Sequence, residues 1–187
     1  MGCASCASKS KGRSVRHKST SGTTWAKNGE KDFWGNSMSY KWADPTWHFF
    51  HSLSGKIHED FYKAHTAELF NMITNINMAL PCPDCQKHAG QFFKNVRYTN
   101  YPTKESFRRL LLSFHNDVNR RTKKAAFPRS YLNKYEFSNF LAITKLFLHT
   151  MKGYRSHLGG GFSDTRRRDQ MIVTMRSWIN KNYMYFL

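Results

Sequence analysis

The chain has 187 residues, enough for one domain with extensions, and 40% apolar with 16% aromatic residues is ample for a compact core. A formal net charge of +18 would suggest a nucleic-acid partner if it were evenly spread, but residues 1–40 carry +5, residues 41–119 only +2 and residues 120–187 +11. No apolar run approaches the roughly 20 residues needed to cross a bilayer, and the basic start has no apolar stretch behind it, so neither a transmembrane helix nor an ordinary secretory signal is expected.

Residues 1–38 are rich in Ser, Lys, Gly and Thr, cannot bury enough surface to offset chain entropy, and are expected to form a flexible basic arm. Asp44-Pro45 reads as the cap and first turn of a helix through about Ile57. Leu69, Met72, Ile73, Ile76 and Leu80 recur at helical spacing and predict a second helix over about 64–78. Pro81 and Pro83 then open a third, over about 82–96. A fourth, from Thr103 to about Arg120, turns Phe107, Leu110, Leu111 and Phe114 inward. Strand-like alternation is almost absent, so the fold class is all-α, with a helix bundle over residues 39–137. Residues 138–187 read as a C-terminal helical extension. It holds one helix over 139–151, a break at Gly159-Gly160-Gly161, and a last helix with Met171, Ile172, Met175, Trp178 and Ile179 on one face.

The four cysteines fall as two Cys-x-x-Cys pairs, which suits chemical cysteines in a cytoplasmic chain better than a disulfide scaffold. Cys82-Pro83-Asp84-Cys85 lies at a helix start, where backbone N–H groups and the helix dipole favour a thiolate. At such a start the first sulfur, Cys82, is expected to be the more exposed and to receive electrons, with Cys85 turned inward. A structural zinc site using Cys82, Cys85, His88 and either His51 or His115 is the bland alternative, although this spacing on one helix is uncommon for zinc. A thioredoxin-like fold would need strands around the motif. Trp47 and His51, four apart, share a helix face and suit either core packing or stacking on a planar cofactor. His115, Val118 and Asn119 share a face of the fourth helix, with Asn116 at its edge, a mixture of apolar floor and polar groups that suits a cofactor pocket.

Three motifs together carry a resemblance: Trp42-Ala43-Asp44-Pro45-Thr46-Trp47-His48-Phe49-Phe50-His51, then Pro81-Cys82-Pro83-Asp84-Cys85-Gln86-Lys87-His88, then His115-Asn116-Asp117-Val118-Asn119. In this order and spacing the chain resembles the FAD-linked sulfhydryl oxidases, the family of augmenter of liver regeneration and its yeast and viral relatives, over about residues 40–135. The resemblance implies a four-helix bundle around FAD with an additional short helix, and a thiol oxidase that introduces disulfide bonds. Electrons would pass from a dithiol protein, thioredoxin-like or a folding protein, through Cys82 and Cys85 to FAD and then to dioxygen, giving hydrogen peroxide.

It also implies that Cys85 contacts the flavin, with Trp47, His51, His88, His115, Asn116, Val118 and Asn119 around it. Lys123 and Lys124 would lie against the pyrophosphate, with Arg120 and Arg121 as substitutes, and Tyr131 would cover the adenosine end. A homodimer follows from the same resemblance. Ala43-Asp44-Pro45 and Ala89 depart from the usual family residues and concern local packing. The cysteines that tie the last helix in several members are absent, as in the shorter viral members. The competing class is a zinc-stabilised, non-enzymatic helical module whose basic flanks bind membrane or nucleic acid, though the nearly neutral core disfavours nucleic acid.

Met1-Gly2-Cys3-Ala4-Ser5-Cys6 leaves three readings open. Gly2 could take myristate and Cys3 and Cys6 palmitate, with neighbouring Lys and Arg side chains drawn to anionic lipid, giving peripheral membrane attachment. Cys3 and Cys6 could instead form a shuttle disulfide of the kind some family members carry. The arm could also do neither.

Overall fold

The computed structural model describes residues 42–153 and 162–187, so the arm with Gly2, Cys3 and Cys6 lies outside the described residues. Six α-helices follow one another: α1 (Ala43–Lys56), α2 (Glu59–Met78), α3 (Pro83–Phe93), α4 (Lys104–Arg121), α5 (Phe140–Gly153) and α6 (Phe162–Asn182). Short 3-10 segments fill Tyr98–Asn100, Arg129–Phe137 and Tyr183–Phe186, and no strand occurs among the described residues. The all-α expectation holds.

Helix α1 is the centre of the molecule. Its buried positions include Phe49, Phe50, His51, Ser52, Leu53, Ser54 and Gly55 in an unbroken run, so no side of that stretch faces water. Helices α4 and α5 and the Arg129–Phe137 segment all pack on it. Gly55 allows the last of these approaches, because a Cβ there would meet Tyr135 atoms at 3.3 Å. The helix begins one residue before the anticipated cap. Thr46 donates its Oγ1 hydrogen to the Trp42 carbonyl at 2.6 Å, and Asp44 sits inside the first turn, where its charge suits the helix dipole.

Helix α2 starts at Glu59, five residues earlier than its apolar spacing suggests. Glu59 and Asp60 in its first turn favour helix there, and Phe61 and Tyr62 bury themselves ahead of a kink at His65. Tyr62 donates to the Tyr101 carbonyl at 2.5 Å. In α4 the Thr103 cap forms as anticipated, closed by a reciprocal pair of hydrogen bonds with Ser106. The anticipated inner face, Phe107, Leu110, Leu111 and Phe114, is buried. Helix α3 is shorter than expected and ends at Phe93.

The C-terminal helices join the same core. Phe147 of α5 stacks on Phe49 with ring centroids 4.9 Å apart, and Phe186 stacks on Phe140 at 4.4 Å. Met171, Ile172, Met175 and Ile179 of α6 are buried as their spacing suggests, while Trp178 is half-buried. Each fully buried phenylalanine contributes about 2–3 kcal/mol, so truncating this region would strip the central helix of one wall.

Candidate active site

The sequence places Pro83 at the first turn of α3 and Cys82 at its cap, and the fold closes Cys82 and Cys85 into a disulfide with Cα atoms 5.1 Å apart. The Cys82 sulfur accepts from the Cys85 N–H at 3.3 Å, and the Cys82 carbonyl accepts from the Gln86 N–H at 3.0 Å. Gln86 also donates its side-chain N–H to the Leu80 carbonyl at 2.7 Å, fixing the corner between α2 and α3. A thiolate formed here sits at the positive end of α3.

Exposure runs opposite to expectation. Cys82 is only 1% exposed, while Cys85 is partly exposed. Ala79, Leu80 and Pro81, which lead into Cys82, are themselves buried.

One turn beyond Cys85, His88 meets Asp117 of α4, with Nε2 and Oδ2 2.7 Å apart. Asp117 also receives the guanidinium of Arg120. The dithiol helix is thereby clamped to the helix that carries His115 and Asn119. On the other side of α4 the anticipated aromatic group assembles. Trp47 and His115 stack at 4.1 Å with planes 7° apart, and Trp47 also lies over His51 at 6.2 Å. His51 Nε2 and His115 Nδ1 share a hydrogen at 2.8 Å, and both residues are buried.

The remaining candidates divide by what their side chains do. Asn116 spends its amide on the backbone of Phe127, donating to its carbonyl at 3.2 Å and accepting from its N–H at 2.6 Å. Val118 packs against the core, whereas the side-chain amide of the buried Asn119 makes no hydrogen bond among the described residues. Lys123 follows α4 at φ 58°, the left-handed region, and the Lys124 N–H closes the helix on the Asn119 carbonyl at 2.8 Å. Tyr131 stands edge-on to Phe127 at 5.8 Å and remains 44% exposed. Arg120 and Arg121 turn elsewhere, to Asp117 and to the Asp84 carbonyl.

Three participants were not anticipated. Phe127 stacks on His51 at 5.1 Å and on His115 at 4.8 Å. Tyr135 faces His51 at 5.3 Å and bonds His48 at 2.9 Å. Asp117 lies within the third motif, and a charge at that place in the motif was the one signal in the sequence that could have marked it.

Burial, then the neighbouring His115, His48 and Arg108, holds His51 well below the usual imidazole range. Burial, then Lys124 and His48, pushes His115 down to about 3. Both rings are therefore neutral donors and acceptors near pH 7. His51 Nδ1, beside the stacked rings, is buried without a partner, and the Asn119 amide, one turn beyond His115 on α4, makes no hydrogen bond among the described residues. Buried polar atoms of this kind, aromatic faces and the cations of Lys123 and Lys124 fit a flat heteroaromatic cofactor that carries phosphate, as FAD does. The zinc donor set is not gathered: the two sulfurs bond each other, His88 bonds Asp117, and among the described residues no three metal-ligating side chains converge.

Comparison with known proteins agrees with this geometry. The profile of the Erv1 / Alr family matches residues 44–138, just over half the chain. The curated protein named "Putative FAD-linked sulfhydryl oxidase 347L", of Invertebrate iridescent virus 6, is 25% identical over 104 residues, covering 50% of this chain and 89% of that protein. No solved structure matches the chain.

Proposed function

The chain belongs to the Erv1 / Alr family, and from that premise we propose that it is an FAD-linked thiol oxidase acting on dithiol polypeptides. One observation carries the reading: the Cys82–Cys85 disulfide caps α3, and the next turn of α3 is bonded through His88 and Asp117 to the helix bearing His115 and Asn119. A redox pair and a cluster of stacked rings are carried by helices bonded to each other. When bound, FAD supplies the two-electron acceptor and the reaction with dioxygen that yields hydrogen peroxide.

The chain's own residues handle the sulfur chemistry. A substrate thiolate attacks one sulfur of the pair, the Cys82–Cys85 bond breaks, and the other sulfur leaves as a thiolate. The second substrate thiolate then displaces the first sulfur, releasing oxidised substrate and a reduced pair. The resemblance supports Cys82 as the sulfur attacked and Cys85 as the one facing the flavin. Because Cys82 is buried, attack there requires the α2–α3 corner to open locally. Trp47, His115 and Phe127 supply stacking faces, Asn119 and His51 directional hydrogen bonds, and Lys123 and Lys124 charge for the pyrophosphate. The resemblance extends the reading to a homodimer.

The test is spectroscopic and kinetic together. Purified full-length protein is expected to be yellow with stoichiometric FAD released on denaturation, and to consume dioxygen when given dithiothreitol. Colourless protein that gains no flavin on incubation with FAD would overturn the reading.

A further inference from the structure

Two arginine side chains bond backbone carbonyls of the chain that leads into and through the dithiol, and one of them comes from outside the matched region. Arg121 of α4 is exposed and donates from Nη1 to the Asp84 carbonyl at 3.3 Å. Arg167 of α6 is exposed and donates from Nη1 to the Met78 carbonyl at 3.4 Å. These carbonyls lie four residues before and two residues after Cys82 in the chain, so guanidinium groups from two separate helices bond the stretch that runs from the end of α2 through the redox pair. Lys87 on the outer face of α3 and Arg166 beside Arg167 are exposed as well.

None of these four cations forms an ion pair among the described residues, whereas Arg108, Arg109, Arg120 and Arg129 all do. Asp84, Asp164 and Asp169 lie within three residues of these cations in sequence, so four cations stand against three acids. A guanidinium that gives one N–H to a carbonyl keeps four, in the fork geometry that grips a carboxylate. The match to the family ends at Ser138, so Arg166 and Arg167 belong to the part of the chain the family profile leaves out.

We propose that this rim, Lys87, Arg121, Arg166 and Arg167, is the docking surface for the protein substrate, and that it selects dithiol polypeptides whose cysteines are flanked by Asp and Glu. The proposal rests on the oxidase reading and adds the class of substrate. Burial of Cys82 gives the rim its role. A small dithiol must arrive while the corner is open, whereas a polypeptide anchored on the rim keeps its thiols beside the disulfide until it opens. Opposite charge also steers the encounter and rejects basic partners, an effect that weakens as salt screens it.

The experiment uses full-length, flavin-loaded protein and three substrates: dithiothreitol and two synthetic peptides with the same cysteine pair, one flanked by Glu and the other by Lys. Oxygen uptake gives kcat/KM, and titration of Ser-for-Cys versions of both peptides gives Kd without turnover. The wild type is expected to favour the Glu peptide by about tenfold or more in both measurements at low ionic strength, with the preference fading at high salt. The Arg166→Gln/Arg167→Gln variant is expected to lose most of that preference while dithiothreitol oxidation stays within about twofold of wild type. Equal handling of the two peptides by wild type, or an undiminished preference in the variant, would overturn the docking surface. If wild type failed to oxidise dithiothreitol yet still bound the Glu peptide selectively, the oxidase reading would fall and the surface would stand.

Discussion

Asn116 and Asn119 lie one helical turn apart in the third motif, yet the structure gives their amides different work, and substitution can separate them. Asn116→Ala removes two part-buried hydrogen bonds to the Phe127 backbone, of 3.2 and 2.6 Å. At about 1 kcal/mol each, with the Phe127 groups left to find water, the folded chain loses about 2 kcal/mol. For a chain of this size that is a fall of about 4–8 °C in Tm. The loss should occur with or without FAD, because the loop and its stacking ring come loose in both.

Asn119→Ala removes no hydrogen bond among the described residues, so the flavin-free Tm should fall by less than half as much. Its cost should appear on adding FAD. Losing one directional bond to the cofactor weakens Kd by about tenfold, and the Tm gained at a fixed FAD concentration shrinks accordingly. Thermal melts of both variants at zero and saturating FAD read these quantities directly. Equal losses in flavin-free protein, or an unchanged response of Asn119→Ala to FAD, would refute the division of labour.

Other consequences follow from the same geometry. Folded-state imidazoles depressed below the unfolded value near 6.5 bind fewer protons than the unfolded chain, so stability is full above that pH and falls as pH drops toward the folded value of about 3 for His115. Each depressed histidine contributes a slope of about 1.4 kcal/mol per pH unit in that window; denaturant melts of wild type between pH 7 and 5 should show it, and His115→Gln should flatten it. Lys123→Gly relieves a left-handed backbone that disfavours side chains and should stabilise flavin-free protein by about 1 kcal/mol while weakening FAD binding, read by melts and fluorescence titration. For the arm, intact-mass measurement from the native host should find myristate on Gly2 if it is an anchor, or a Cys3–Cys6 pair two hydrogens light if it is a shuttle. Unmodified Gly2 with reduced Cys3 and Cys6 would remove both readings.

Local spacing made much of this site legible. Residues four apart on α1 brought Trp47 over His51, and the third motif put His115 and Asn119 on one buried face, because helical periodicity alone fixes which side chains share a side. What the spacing could not give was the partner of each face. Phe127 reaches the histidines only because Asn116 holds a loop eleven residues away, and Tyr135 only because Gly55 lets its backbone approach α1. The burial of Cys82 likewise depends on how Ala79, Leu80 and Pro81 pack at a corner, which no helix-start rule contains. In α6 the apolar stripe was visible, whereas its antiparallel course along α2, from Arg167 near Met78 to Trp178 near Phe61, is a tertiary fact.

The central claim is that electrons leave the dithiol through Cys85 to a bound flavin and reach dioxygen. Oxygen uptake by flavin-loaded Cys85→Ser with dithiothreitol tests it most directly. The account predicts protein that stays yellow, with FAD content near wild type, and turnover reduced at least about a hundredfold, since the acceptor remains in its pocket without a sulfur to supply it. Near-normal oxygen uptake by that yellow variant would contradict the account.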